Sequence, residues 1–227
     1  MMSEQTFEKD LFETSLGTLE ITFIGHGSLI FEVDGKVIHV DPYAALADYQ
    51  SLPKADFILV THEHGDHLDM SAIEHIRKPD TRFIYTAACQ EYLQGGKVMN
   101  NWDTLEEGDF IFEAVPAYNM IHKRESGQPF HPPGDGNGYI LTIGSTRIYI
   151  AGDTEDIPEM EDIKDIDIAF LPMNLPYTMT PEMAARAALS FKPRILYPYH
   201  YGQTSTSKLV DLLKVEPAIE VRIRNLK

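Results

Sequence analysis

The chain has 227 residues, 43% of them hydrophobic, which is enough for one well-filled core. Its 35 acidic and 19 basic side chains leave a formal net charge of -16, a surface that repels phosphate backbones and argues against nucleic acid and anionic membranes as partners. Cys89 is the only cysteine, so no internal disulfide or thiolate zinc cluster can form, and a reducing compartment is expected.

Residues 1–19 are acidic and carry neither the basic start nor the apolar stretch of a secretory signal. No apolar run approaches the roughly 20 residues that cross a bilayer. The expectation is a soluble, cytoplasmic protein folded as one domain over 1–227. Strands are predicted at 19–24, 29–33 and 37–40, the last two joined by Asp34-Gly35, a dipeptide suited to a tight hairpin. A strand at 57–60 follows, then a short helix over 70–76 with Asp69 placed to cap it. Next come a strand at 82–85 and a helical turn over 88–93 that ends near Gly95-Gly96. Further strands are predicted at 110–117, 139–143 and 147–151, the last pair turning at Gly144-Ser145, and at 167–171. Thr180 before Pro181 marks the start of a helix running to 189, where Glu182 and Arg186, four apart, are expected to pair at the surface. A strand at 195–197, a helix at 205–213 and a strand at 219–223 complete the chain. Two groups of strands, each followed by helices, are best buried as two sheets face to face with helices outside, an α/β four-layer αββα sandwich. Residues 119–138 lack periodicity and read as a functional loop; they hold His122, Lys123, Arg124 and His131.

The densest chemistry lies in His62-Glu63-His64-Gly65-Asp66-His67, directly after the apolar run Phe57-Ile58-Leu59-Val60. Imidazole and carboxylate together suit zinc, iron or manganese. His62 and His64, two apart on extended chain, point the same way. Gly65 permits a sharp turn, after which Asp66 and His67 reach a neighbouring position, so one stretch offers ligands to two ions. A solvated histidine-rich loop is the bland alternative, and the ordered spacing at a strand end argues against it. Asp153, in Ala151-Gly152-Asp153-Thr154, and His200, in Tyr197-Pro198-Tyr199-His200, also follow predicted strands. Singly they read as a turn cap and a core histidine; with the first cluster they extend a dinuclear site.

His62, His64, Asp66 and His67 match the HxHxDH signature of the metallo-β-lactamase superfamily, and the resemblance runs from residue 19 to 222. It implies the αββα metallo-β-lactamase fold, two divalent metal ions (zinc first, manganese or iron otherwise) and hydrolysis by a metal-activated water. It further implies that His62 and His64 serve the first ion, that Asp66, His67 and His200 serve the second, and that Asp153 lies between them. Asp66 would also be catalytic, orienting the water and passing a proton to the leaving group. Asp41, in Val40-Asp41-Pro42, resembles the carboxylate that orients a ligand histidine. His26, in Ile24-Gly25-His26-Gly27-Ser28, is similar to a histidine kept near the site, with a structural role open beside it. These segments look like the branch of the L-ascorbate-6-phosphate lactonases and of the phospholipase D that acts on N-acyl ethanolamine lipids. One departure stands out. The third histidine of the first ion should follow the strand at 110–117, where this chain reads Val115-Pro116-Ala117-Tyr118-Asn119. Asparagine is a weak ligand; His131, on the stiff Phe130-His131-Pro132-Pro133-Gly134, is the expected substitute, with His122 or a loosely held first ion as rivals.

By the same resemblance the expected reaction is hydrolysis of a small anionic lactone or ester. Lys123 and Arg124 are placed to meet a phosphate or carboxylate, and Tyr177 to line the mouth. The alternatives are a phosphodiesterase or phospholipase-like hydrolase and, in another class, a metal-dependent binding or sensing protein without catalysis. The expected partner is a small-molecule substrate, with no nucleic acid and no membrane; a homo-oligomer is left open.

Overall fold

A computed structural model describes residues 5–227. Its first sheet takes β1 (Glu8–Thr14), β2 (Gly17–Gly25), β3 (Ser28–Val33), β4 (Lys36–Val40), β5 (Phe57–Leu59), β6 (Arg82–Tyr85) and β7 (Lys97–Val98), in that spatial order. Its second takes β8 (Thr104–Glu107), β9 (Phe110–Ala117), β10 (Gly136–Ile143), β11 (Thr146–Ile150), β12 (Ile168–Pro172), β13 (Ile195–Tyr199) and β14 (Glu220–Val221), again in chain order. The helices are α1 (Met70–Ile76), α2 (Pro181–Phe191) and α3 (Thr206–Leu213).

The central strands are apolar on both faces because each face is covered. Leu29 and Phe31 of β3 and Phe57 and Leu59 of β5 join the core between the sheets. Their neighbours Ile30, Ile58 and Val60 turn the other way and pack with Ile73 and Ile76 of α1. Across the sheet interface Phe31 meets Phe170 edge-on at 6.2 Å and Phe57 lies 5.3 Å from Phe112. On the far side, Phe191 of α2 abuts Tyr149 at 5.5 Å. The order helix, sheet, sheet, helix is the expected αββα sandwich.

Three strands escape the sequence pattern. β1 reads Glu-Lys-Asp-Leu-Phe-Glu-Thr and lies at a sheet edge with mostly exposed side chains, so pairing with β2, not burial, defines it. β7 is two residues long, and β8 is largely polar. β10 begins at Gly136, against Ala117 of β9, so the long loop is shorter than its composition suggests. The expected pair of Glu182 with Arg186 does not form: Glu182 bonds Lys208 of α3, and Arg186 reaches Asp156 at 2.7 Å. Partners from other elements outcompete a weak pair on one helix face.

Strand direction places the site. β4 and β5 are parallel, and β2 shares their direction through two antiparallel pairings with β3. β11, β12 and β13 are parallel, and β9 shares their direction through β10. The carboxyl ends of these strands therefore lie along one edge of each sheet, where α/β sheets gather their ligands. His26, Asp41 and residues 62–67 follow β2, β4 and β5; Asn119, Asp153, Asn174 and His200 follow β9, β11, β12 and β13.

Candidate metal centre

The two edges meet in three overlapping sets of side chains. His62, His64 and His131 form one; His26, Asp66, His67 and His200 form a second; His62, His67 and Asp153 link them. In each set the ligand atoms lie within 4.8 Å of one another. The Asp153 carboxylate sits between the first two: Oδ2 is 3.2 Å from His131 Nε2 and 3.5 Å from His200 Nε2, and Oδ1 is 3.6 Å from His67 Nε2. All seven residues expected from the sequence are thus brought together, and His26 joins them through a 3.1 Å contact between its Nε2 and Asp66 Oδ2. His122 is elsewhere, with Nδ1 2.6 Å from Glu155 Oε1. Asn119 does not point into the cluster as a ligand; its Oδ1 accepts from His131 Nδ1 at 2.7 Å.

Hydrogen bonds behind the rings decide which nitrogen faces the site. Asp41, fully buried, accepts from Thr61 N at 2.8 Å, from Thr61 Oγ1 at 2.7 Å and from His67 Nδ1 at 2.8 Å. Because the Thr61 hydroxyl proton is committed to Asp41, its oxygen accepts from His62 Nδ1 at 3.0 Å. His62, His67 and His131 therefore all donate from Nδ1 and turn Nε2 inward, the arrangement that orients metal-ligating histidines. His64 turns its Nδ1 toward His62 Nε2 at 3.1 Å.

Backbone geometry is equally constrained. His26, Asp41 and His200 have φ of 51°, 44° and 45°, a left-handed conformation that is strained for non-glycine residues and concentrates at functional sites. Gly27 lies so close to His67 that a Cβ there would come within 3.0 Å of the ring. Gly152, with φ of 66°, is the turn that delivers Asp153, and a Cβ on it would stand 2.8 Å from Asn137 O.

Burial, with its histidine neighbours adding to it, pushes His62 well below the usual imidazole range and lowers His64. Burial also opposes a charge on His67, but Asp153 and Asp41 outweigh it and raise that ring to about 9. Asp153 is held well below the usual carboxylate range, against burial, by His200, His67 and His131. His200, whose Nε2 is 3.8 Å from Asp66 Oδ2, and the hydrogen bond from His26 lower Asp66 in the same way, again against burial. In the metal-free site two ionised carboxylates thus face a charged His67 and neutral rings at His62 and His64. His67 Nε2, His200 Nε2 and Asp153 Oδ1 are buried without any hydrogen-bond partner. Each such atom left unpaired costs about 1–3 kcal/mol. A cation between them answers all three, so the residues fit the metal ions that the sequence implies.

The cluster forms the floor of a cavity of about 480 Å³, walled by Phe130, Asn174, Tyr177 and Arg124. Arg124 is the one Arg or Lys among its lining residues, and Lys123 is not among them. The Arg124 guanidinium lies 5.2 Å from the Phe130 ring and donates to Phe130 O at 3.2 Å. Sequence reasoning does not single out Thr61 or Glu155. Their only sequence signal is position: Thr61 lies between β5 and His62, and Glu155 lies two residues beyond Asp153.

Residues 20–200 match the profile of the beta-lactamase superfamily domain. The chain is 31% identical over 191 residues to a metal-dependent hydrolase of Nanoarchaeum equitans, a match covering 81% of this chain and 84% of that one. It is 33% identical over 200 residues to another of Thermococcus onnurineus, covering 81% and 85%. Among solved structures, a Parabacteroides distasonis protein assigned as a metal-dependent hydrolase superposes with a TM-score of 0.93 at 54% identity, over 98% of this chain and 100% of that one. A metallo hydrolase of Ignicoccus hospitalis shares the fold, with a TM-score of 0.74 at 22% identity over 92% and 95% of the two chains.

Proposed function

This chain belongs to the beta-lactamase superfamily and is a metal-dependent hydrolase; from that premise we propose that it cleaves a small anionic lactone or ester at a two-metal centre, with zinc as the first choice of ion. The observation that carries this reading is one carboxylate, Asp153, shared by two sets of inward-facing ligand atoms on the floor of a cavity whose one fixed cation is Arg124.

In this reading His62, His64 and His131 hold one ion, Asp66, His67 and His200 the other, and Asp153 lies between. Metal ions held by these residues would supply a water of near-neutral pKa and a Lewis acid for the scissile carbonyl. Asp66, partly exposed to the cavity and steadied by His26 at 3.1 Å, is the group placed to orient the water and carry its proton to the leaving oxygen. Arg124 takes the substrate's anionic group, and Phe130 and Tyr177, whose rings meet edge-on at 5.0 Å, form the wall beside it. The partner is a small molecule. Among the described residues no helix is long and apolar enough to cross a membrane, and a cytoplasmic setting belongs to the same reading, supported by a single cysteine that is buried and unpaired.

The test is a panel of small esters and lactones, each with and without a carboxylate or phosphate, assayed with zinc-loaded protein. The anionic members are expected to show kcat/KM at least tenfold higher, and Arg124→Ala to erase that preference while leaving the neutral members unchanged; tenfold corresponds to about 1.4 kcal/mol, within reach of one charge-assisted contact. Equal rates on charged and neutral substrates, or cleavage of phosphodiesters alone, would overturn the assignment.

A further inference from the structure

Asn119 stands where the superfamily's third histidine is expected, and its contacts give it a specific task. Its side-chain orientation is fixed by partners with only one possible role. Oδ1 accepts from the backbone N–H of His131 at 2.9 Å, while Nδ2 donates to Tyr177 O at 2.9 Å and to Glu155 Oε1 at 3.3 Å. Since Oδ1 can only accept, the ring atom 2.7 Å away, His131 Nδ1, must carry its proton. The lone pair is then on Nε2, facing His62, His64 and Asp153. A return bond from Asn119 N to His131 O at 2.9 Å closes the pair, so the start and end of the intervening loop are locked together.

The lock is itself anchored. Glu155, fully buried, accepts the backbone N–H groups of Met120, Ile121 and His122 at 2.7, 2.7 and 2.6 Å. Thr154 accepts from Tyr118 N at 3.1 Å and lies 3.1 Å from Tyr118 O. One turn, residues 153–155, therefore supplies the shared carboxylate and clamps the loop that brings His131 to it.

We propose that Asn119, clamped by Glu155, is a positioning residue that makes His131 a metal ligand by fixing its ring as the Nδ1–H form and aiming Nε2 at His62 and His64. This rests on the reading of those three histidines as one metal set. The same amide holds Tyr177 O, so the first metal position and the cavity wall share one anchor.

Nitrogen-15 histidine NMR on metal-stripped protein tests the tautomer directly. His131 is expected as Nδ1–H in the wild type; the Nε2–H form overturns the proposal. In Asn119→Ala, zinc titrations against a chelator are expected to show one of two sites weakened ten- to a hundredfold, the usual cost of losing such a partner, with the other unchanged. Asn119→Asp, which keeps an acceptor for Nδ1, is expected to retain the Nδ1–H form; a switch to Nε2–H there overturns the proposal, as do two unweakened sites in Asn119→Ala. Should Asn119→Ala fail to fold, the wild-type tautomer still decides. His131→Ala separates the two levels. If it binds two zinc ions as tightly as wild type, the assignment of the metal set itself fails; if it loses one while Asn119→Ala loses none, only the positioning role falls.

Discussion

Chelating the metal ions is expected to leave a protein that weakens as pH rises from 6.5 to about 9. In the stripped site burial opposes a charge on His67, yet Asp153 at 3.6 Å and Asp41 at 2.8 Å lift it from 6.5 to about 9. A folded-state pKa above the unfolded one means that the folded chain holds the proton more tightly. The resulting stability is complete below pH 6.5 and lost as pH passes 9. At 1.36 kcal/mol per pH unit the loss is about 3 kcal/mol, a large part of the roughly 5–15 kcal/mol of a typical domain. His62 and His64 are lowered, so their contributions fall below this window, and Cys89, raised by burial to about 11, changes above it. Urea unfolding in a chelator at several pH values between 6.5 and 9 measures the effect. The midpoint should fall with pH in the wild type and fall less in Asp41→Asn, which removes one of the three carboxylate charges facing the ring. With zinc restored the trend should reverse, because the ion requires the neutral imidazole. A stripped wild type whose stability stays flat or rises across the window refutes the charge assigned to His67.

Two further outcomes follow from buried contacts. His39, whose Nε2 donates to Pro53 O at 2.9 Å, is driven by burial from 6.5 to about 4, so the stability it contributes is present above pH 6.5 and lost toward pH 4. That amounts to about 3 kcal/mol; His39→Gln should flatten the wild-type decline between pH 6.5 and 4 in denaturant titrations, and an unchanged slope would exclude His39 as its source. Gly27→Ala would set a Cβ 3.0 Å from His67 Cε1 and 3.2 Å from Nδ1, forcing the ring off Asp41. The fold should survive at about 1–3 kcal/mol, while zinc affinity at one site drops roughly tenfold or more; wild-type affinity would show that the ring has room to move.

The legible parts of this molecule were local. Residues 62–67 declare a metal site because a turn between ligands needs only Gly65, and β3 and β5 declare themselves by apolar runs whose two faces are both buried. What stayed hidden depends on distant partners. β1 is charged along its length and becomes a strand only by pairing with β2. His122 and His131 lie in one loop near one vacant ligand position, and in sequence only the stiff proline-rich setting of His131 favours it; Glu155 separates them in space by holding His122 at 2.6 Å, away from the cluster, and steadying Asn119 beside His131. Likewise, Arg186 pairs with Asp156 instead of Glu182 because the segment after β11 passes beside α2, a neighbourhood that no helical spacing reveals.

The charge of the chain bears on how the proposed anionic substrate would enter at all. A net charge of -16 opposes an anionic substrate at long range, but at physiological ionic strength that opposition is screened beyond about 8 Å. Inside the cavity the balance is set locally, by Asp66 and Asp153 on one side and Arg124 on the other. Without metal the two carboxylates of the floor are offset only in part by the charged His67 ring, and the floor would repel an anion. With the two divalent ions of the proposed site, the positive charge on the floor exceeds that of both carboxylates, and Arg124 at the wall adds to it instead of standing alone. On the proposed function, substrate affinity would therefore be tied to metal loading as closely as the chemistry is. On the proposed function, the lock of Asn119 on His131 and Tyr177 would hold the first metal position and the cavity wall in register, so that an anionic group and the scissile bond would meet their respective charges together.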